Sequence, residues 1–280
     1  MPLLELEYST EPYSTVKRLK DRANYALETI HQIVNSCPML HVSFQPPNSP
    51  FPAVLPMIGQ MGSFKRPSAD LGEVLDLYLH GYVSSRLMNL TRGPSSPPSE
   101  PTNPTPSPDS GLPLTIAATH LDGLVLALTP NSHSYNYRSA VMFGHAQLVT
   151  DPAEKLYAME LITNAVVPQR WAHSRVPPNA AEMQSTSILR VKISTGSAKI
   201  RSGGPHDEKG DMENEELKGR VWTGVVPVYT TMAEPVEGGY NKVGDVPGYL
   251  EGWRKETNKE REEFAKGQVD KEVRGKGDGE

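Results

Sequence analysis

Residues 74–90 read VLDLYLHGYVSSRLMNL, and the fold turns on this stretch. Val74, Leu75, Leu77, Tyr78 and Leu79 are β-prone and largely alternate, which predicts a strand buried on at least one face. His80-Gly81 interrupts that pattern. Beyond it the spacing of Val83, Leu87 and Leu90 is helical, three and four residues apart. A strand, a glycine turn and a helix opening on Ser84, Ser85 and Arg86 is a physical recipe for an anion site. Backbone N–H groups at a helix start point outward, hydroxyls add donors, and the guanidinium is a forked positive charge. The same residues also describe an ordinary capped surface helix, so the stretch alone leaves both readings open.

Composition narrows the classes. The chain has 280 residues, the length of one large domain or two small ones. A hydrophobic fraction of 37% and a mean hydropathy of -0.47 are low for a compact globule, so part of the chain is expected outside any core. The net charge of -5 supplies no bulk positive field for nucleic acid or an anionic membrane. The single cysteine, Cys37, excludes an intrachain disulfide and fits a reducing compartment. No run reaches the roughly 20 apolar residues of a membrane span. The opening MPLLELEYSTE is acidic where a secretory signal needs positive charge. The expectation is a soluble, cytoplasmic protein.

Along the chain, Val16, Leu19, Ala23, Leu27, Ile30 and Val34 predict a first helix over residues 13–35. Pro38 stops it. Residues 39–44 and 53–58 read as an antiparallel hairpin around the Pro/Asn/Ser turn at 46–50. Residues 93–113, GPSSPPSEPTNPTPSPDSGLP, have no apolar period and form a loop insertion rather than a boundary. Strands are expected at 114–119 and 124–128, joined by a turn at Leu121-Asp122-Gly123. Another follows at 140–149, with Gly144 marking a bulge or a close approach. Asp151-Pro152-Ala153-Glu154 starts a helix: an Asp cap, Pro at the first position and Glu three residues on. Further strands lie at 185–193, 198–200 and 221–229, and residues 202–219 form a charged loop. Residues 1–254 thus read as one domain and 255–280 as a charged, disordered tail. Strands that follow one another without intervening helices predict a mainly β, antiparallel barrel with flanking helices.

Most catalytic motifs are missing. His41, His80, His120, His133, His145 and His173 are scattered, with no HExxH and no CxxC, so no metal site is expected. GxSxG, the P-loop and GxGxxG are absent from the sequence. What remains are polar residues at strand ends, in residues 80–86, 133–139 and 222–224.

On those residues the chain resembles a known family. LYLHGYVSSRL (77–87), THLDGLVLALTPNSHSYNYRSAVMFGHAQLV (119–149), DPAEK (151–155) and VWTGVVP (221–227) occur in the order seen in nitroimidazole reductase-related flavoproteins. These belong to the pyridoxamine 5′-phosphate oxidase-like split barrels. The resemblance implies a six-stranded antiparallel split β-barrel and a homodimer holding FMN at the subunit interface. It places the phosphate on His80, Gly81, Ser84, Ser85 and Arg86, and the flavin along the backbone of Val54, Leu55, Pro56 and Met57. It also puts Asn136, Tyr137, Arg138 and Ser139 near the ring and has Trp222 reach the cofactor. Many relatives carry a basic residue directly after the arginine, where this chain has Leu87. The function so implied is an FMN-dependent oxidoreductase acting on a small, nitroaromatic or heterocyclic acceptor. The alternatives are a non-catalytic flavin- or haem-binding protein on the same barrel, and an interaction protein that uses the Pro-rich loop and the tail.

Overall fold

The computed structural model describes residues 5–92 and 111–269. Within the span expected as one domain, contacts group into two compact units, Met1–Thr119 with Ser139–Lys199 and His120–Arg138 with Ile200–Glu280. Residues 93–110, most of the Pro/Ser-rich stretch, lie outside the described residues, as does the tail from 270.

In chain order the elements are β1 (Ala23–Asn24), α1 (Leu27–Ser36), β2 (Leu40–Phe44), β3 (Ala53–Met57), β4 (Gly59–Gly62), β5 (Asp76–Tyr82), α2 (Arg86–Thr91) and β6 (Leu112–Leu126). Then come β7 (Ser134–Leu148), α3 (Pro152–Val166), α4 (Ala180–Ser185), β8 (Thr186–Arg201), α5 (Lys209–Met212), α6 (Glu215–Arg220), β9 (Gly224–Pro227) and α7 (Gly248–Gly267). The sheet runs in the order β3-β2-β6-β7-β8-β5-β4, with β1 paired to β8 and β9 to β6, and the pairs β1–β8, β2–β3, β2–β6, β4–β5, β5–β8 and β6–β9 are antiparallel.

The two ends of that path are one piece of chain. Only Ile58 separates β3 from β4, so the segment pairs with β2 on one side of the bend and with β5 on the other. Seven strands on the path therefore correspond to six chain segments, as in a split barrel. The ladder does not close by hydrogen bonds, because β3 and β4 meet through the backbone and not as partners. The Ile58 carbonyl is tied down at the bend by the His80 amide, 3.2 Å away.

Alternation fills the core of the first unit. Leu40, Val42 and Phe44 of β2 are buried between exposed or half-buried neighbours, as are Leu114, Ile116 and Ala118 of β6 and Ala140, Met142 and Ala146 of β7. Helix α1 adds Leu27, Ile30, Ile33 and Val34, each burial contributing about 1.5–3 kcal/mol. On α3, Ala158 and Ile162 pack with Tyr78, Val149 and Ile188 in a separate cluster. Gly144 is a close approach: a Cβ there would collide with the Lys192 carbonyl oxygen.

Several expectations are corrected. The first helix begins at Leu27, not near 13, because Leu19 takes a left-handed backbone (φ 55) and Ala23 and Asn24 are drawn into pairing with Lys199 and Ala198 of β8. Residues 121–123 are not a turn. They continue β6, and Gly123 lets β9 come close, a Cβ there standing 2.9 Å from Val225. The strands predicted at 185–193 and 198–200 are one strand, β8. Its polar interior is satisfied because Thr195 donates to the Ser9 carbonyl and sits 2.9 Å from the Ser14 hydroxyl. Residues 202–219 carry the short helices α5 and α6. The charged stretch from 255 is helical to Gly267: Arg254 is 7% exposed and bonded to Glu251 and Glu234, and Lys255–Glu251 and Lys266–Glu262 pair one turn apart.

A buried polar pair holds the middle of α1. The Leu71 carbonyl can only accept, so His31 Nδ1 carries the proton (2.8 Å) and Nε2 accepts from the Tyr8 hydroxyl (2.7 Å). Burial lowers the His31 pKa below its ordinary 6.5, against the opposing Leu71 bond. The unfolded chain takes up this proton near pH 6.5 and the fold only at lower pH. Its contribution to stability is therefore complete above 6.5 and lost as pH falls from there toward the lower folded value. Urea midpoints at about pH 7.5 and 5.5 should show that drop, and His31→Gln should flatten it. In the same assay Gly144→Ala should cost about 1–3 kcal/mol. Gly219→Ala, in open space on α6, should instead stabilise by about 0.5–1 kcal/mol.

Candidate functional site

The stretch that opened the reading is built somewhat differently from its prediction. Strand β5 runs through His80-Gly81 to Tyr82, pairing residue for residue with β8, from Leu77 opposite Val191 to Tyr82 opposite Thr186. The turn follows at Val83-Ser84, and α2 opens at Arg86. Ser85 is the N-cap, its Oγ accepting from the Met88 amide at 3.4 Å. Leu87 and Met88 are fully buried. A basic residue at 87 would thus be driven into the core, which gives Leu87 a packing reason. Arg86 is exposed and makes no hydrogen bond or ion pair with any described residue. Ser84 is exposed as well, and the Ser85 hydroxyl proton is not used by its capping bond. Three donors therefore stand at one junction, and no carboxylate among the described residues pairs with Arg86.

Strand β3 is beside this junction. A Cβ on Gly81 would stand 2.5 Å from the Met88 methyl and 3.7 Å from that of Met57, so Gly81 is the point where β3 and α2 both crowd β5. Val54 and Pro56 are exposed while Leu55 and Met57 are half-buried. The imidazole of His80 has its pKa lowered by desolvation, though its residue retains open surface. Met57 is thereby brought to Gly81, which joins His80 to the turn that carries Ser84, Ser85 and Arg86. Ser139, in the same unit, donates to the Lys199 carbonyl at 3.1 Å.

The remaining expected residues fall in the second unit. Arg138 is engaged: its Nε and Nη2 hold the two oxygens of buried Asp122 at 2.9 and 2.8 Å, and its guanidinium lies 4.0 Å over the Phe264 ring. Asn136 is buried and accepts from Arg201. Tyr137 is half-buried on β7. Trp222 is 66% exposed, its indole lying over the backbone of Gly224.

The sequence reading missed an ionised cluster in the first unit. Glu154 does not complete a capping box. Its Oε1 accepts from the Tyr78 hydroxyl (2.9 Å) and from Arg190 (3.1 Å), and Arg190 reaches Gln147 at 3.2 Å. Burial, then the Glu154 bond, pushes the Tyr78 pKa upward. The cue available in sequence was a charged residue two before an aromatic on a buried strand, Asp76 and Tyr78, facing Arg190 on another. Among the described residues, no group of three or more His, Cys, Asp or Glu is placed to hold a metal ion, and no helix is long and apolar enough to cross a membrane.

The fold is that of a split barrel, mainly antiparallel with flanking helices. The model of the family described as pyridoxamine 5′-phosphate oxidase matches residues 27–200, well over half of the chain, and the chain belongs to that family. Among solved structures it is similar to the flavocytochrome Anf3 from Azotobacter vinelandii, at 24% identity over 87% of this chain and 97% of that one, with a TM-score of 0.68. It is also similar to the FAD and haem binding protein from Mycobacterium smegmatis, at 23% identity over 83% and 97%, with a TM-score of 0.64. Both likenesses are of fold. No curated protein matches the chain significantly in sequence.

Truncating Asp122 to Ala should leave a half-buried guanidinium without its carboxylate. A loss of about 1–3 kcal/mol in denaturant unfolding is expected, larger than for Glu182→Ala, whose ion pair with Arg175 is exposed.

Proposed function

We propose that this protein is an FMN-binding oxidoreductase, a cytoplasmic homodimer with the flavin at the subunit interface, passing two electrons to a small nitroaromatic or heterocyclic acceptor. The observation that carries the reading is Arg86. In a chain of this family, it stands exposed and unpaired among the described residues, directly after Ser84 and Ser85 and at the junction whose Gly81 meets Met57 of β3. That donor set suits a phosphate, each charged hydrogen bond contributing about 1.5–3 kcal/mol. The bound flavin supplies two-electron chemistry at its isoalloxazine ring; the protein's part is to anchor, orient and exclude water. Arg86, Ser84 and Ser85 would anchor the phosphate, with His80 and Gly81 shaping the turn. Val54, Leu55, Pro56 and Met57 would lie along the flavin, Tyr137, Ser139 and Trp222 would border the ring, and Arg138, held by Asp122, would add a fixed positive charge.

FAD and haem are named for the M. smegmatis protein, and the absorption spectrum of the purified chain separates the cases. Two flavin bands, with FMN as the chromatographed extract, are expected. An intense Soret band without flavin would overturn the reading in favour of a haem carrier. Arg86→Ala should weaken flavin retention by about tenfold or more while leaving the melting temperature of cofactor-free protein unchanged. An equal loss of cofactor-free stability would make Arg86 structural. Nicotinamide-dependent reduction of a nitroaromatic then tests turnover against mere carriage.

A further inference from the structure

Two cavities of the first unit are lined by none of the residues assigned to the flavin. They adjoin along β7 and β8, where outward side chains alternate with buried ones. On β7, Phe143, His145 and Gln147 alternate with buried Met142, Gly144 and Ala146, and on β8 Arg190 and Lys192 flank buried Val191.

The first cavity, about 520 Å³, is ionised. Of its charges, Glu154 and Arg190 satisfy each other and Asp151 caps α3, which leaves Asp76, Lys65 and Lys192. Asp76 is half-buried, yet its carboxylate accepts no hydrogen bond and enters no ion pair within 4 Å among the described residues. Desolvation raises its pKa although Arg190, Lys192 and Lys65 pull the other way. A carboxylate so placed lacks a donor. Lys65 and Lys192, both exposed, likewise hold no carboxylate among the described residues.

The second cavity, about 470 Å³, is apolar and aromatic, with Tyr13 and Phe143 in edge contact at 5.0 Å beside Phe44, Pro52 and Leu114. His145 lines both cavities. On β7 the step from Phe143 to His145 crosses from one to the other, as the step from Ser194 to Lys192 does on β8. Each step spans about 6.6 Å, the scale of an amino acid with its side chain.

We propose that the two compartments form one site for a small zwitterion with an apolar ring, a molecule of the aromatic amino-acid class. Its ammonium group donates to Asp76, its carboxylate accepts from Lys192 and Lys65, and its ring lies against Phe143 and Tyr13. An amine alone would leave the lysines unmatched, and a carboxylic acid alone would leave Asp76 without a donor. The proposal does not depend on the flavin reading, since no residue is shared.

Calorimetric titration of the full chain with L-phenylalanine, phenethylamine and 3-phenylpropionate tests it, with melting curves to verify that each variant folds. Saturable binding of L-phenylalanine is expected at millimolar concentrations or below. Asp76→Asn and Phe143→Ala should each weaken it by about tenfold, the size of one charged or one ring contact. Exposed Lys192→Met should weaken L-phenylalanine but not phenethylamine, and 3-phenylpropionate should be indifferent to Asp76→Asn. Absence of saturable L-phenylalanine binding, binding unchanged in Asp76→Asn and Lys192→Met, or phenethylamine binding as tightly as L-phenylalanine would each overturn the proposal.

Discussion

The bend at Ile58 is the constraint on which the barrel depends. One chain segment has to serve two neighbours, β2 before the bend and β5 after it, so the ladder's two ends are fixed by a single residue of connecting backbone. The His80 amide bonded to the Ile58 carbonyl ties the bend to β5 at the point where β5 approaches the α2 junction. Barrel geometry and junction geometry are thereby one problem. β3 lies next to Gly81 because it is the other half of the strand that pairs with β5.

Polar groups in the interior do the complementary work of choosing one packing. Tyr8–His31–Leu71 seats α1, Tyr78–Glu154–Arg190 seats α3 on β5 and β8, and Asp122–Arg138 fixes β6 against β7 in the second unit. No buried side-chain nitrogen or oxygen among the described residues lacks a partner. Satisfied networks of this kind specify register, because a strand slip would leave every member unpaired at about 1–3 kcal/mol each.

Where local and tertiary preferences agree, the sequence was legible. The β2–β3 hairpin and the start of α3 at Asp151-Pro152 appear as read, since turn and cap chemistry act over a few residues. The motifs that carried the family resemblance lie largely within the residues the family model matches. It failed where distant partners decide. Val16, Leu19 and Ala23 have helical spacing, but β8 needs Ala23 and Asn24 as an edge partner, and no local cue announces that. Asp122-Gly123 has turn chemistry, yet Arg138 sixteen residues away claims the carboxylate and β9 needs the glycine. The charged stretch after 254 looked unable to anchor itself, because its anchors are few: buried Arg254, Ala265 and Gln268. Of the candidate site, the β5–α2 junction could be read from sequence. The Asp76 and Glu154 cluster could not, because its members come from strands and a helix far apart in the chain.

Helix α2 is only six residues long, and its second and third residues, Leu87 and Met88, are wholly enclosed. An isolated helix of that length would not persist in water, so its conformation is set by those two side chains and by the Ser85 cap. The consequence is kinetic. The fold holds the backbone donors and the Cα of Arg86 in place, so an anion bound there, as proposed, would leave only the flexible end of one side chain to settle. Association at this junction should then be governed by encounter, and the lifetime of the bound state by the Arg86 contacts.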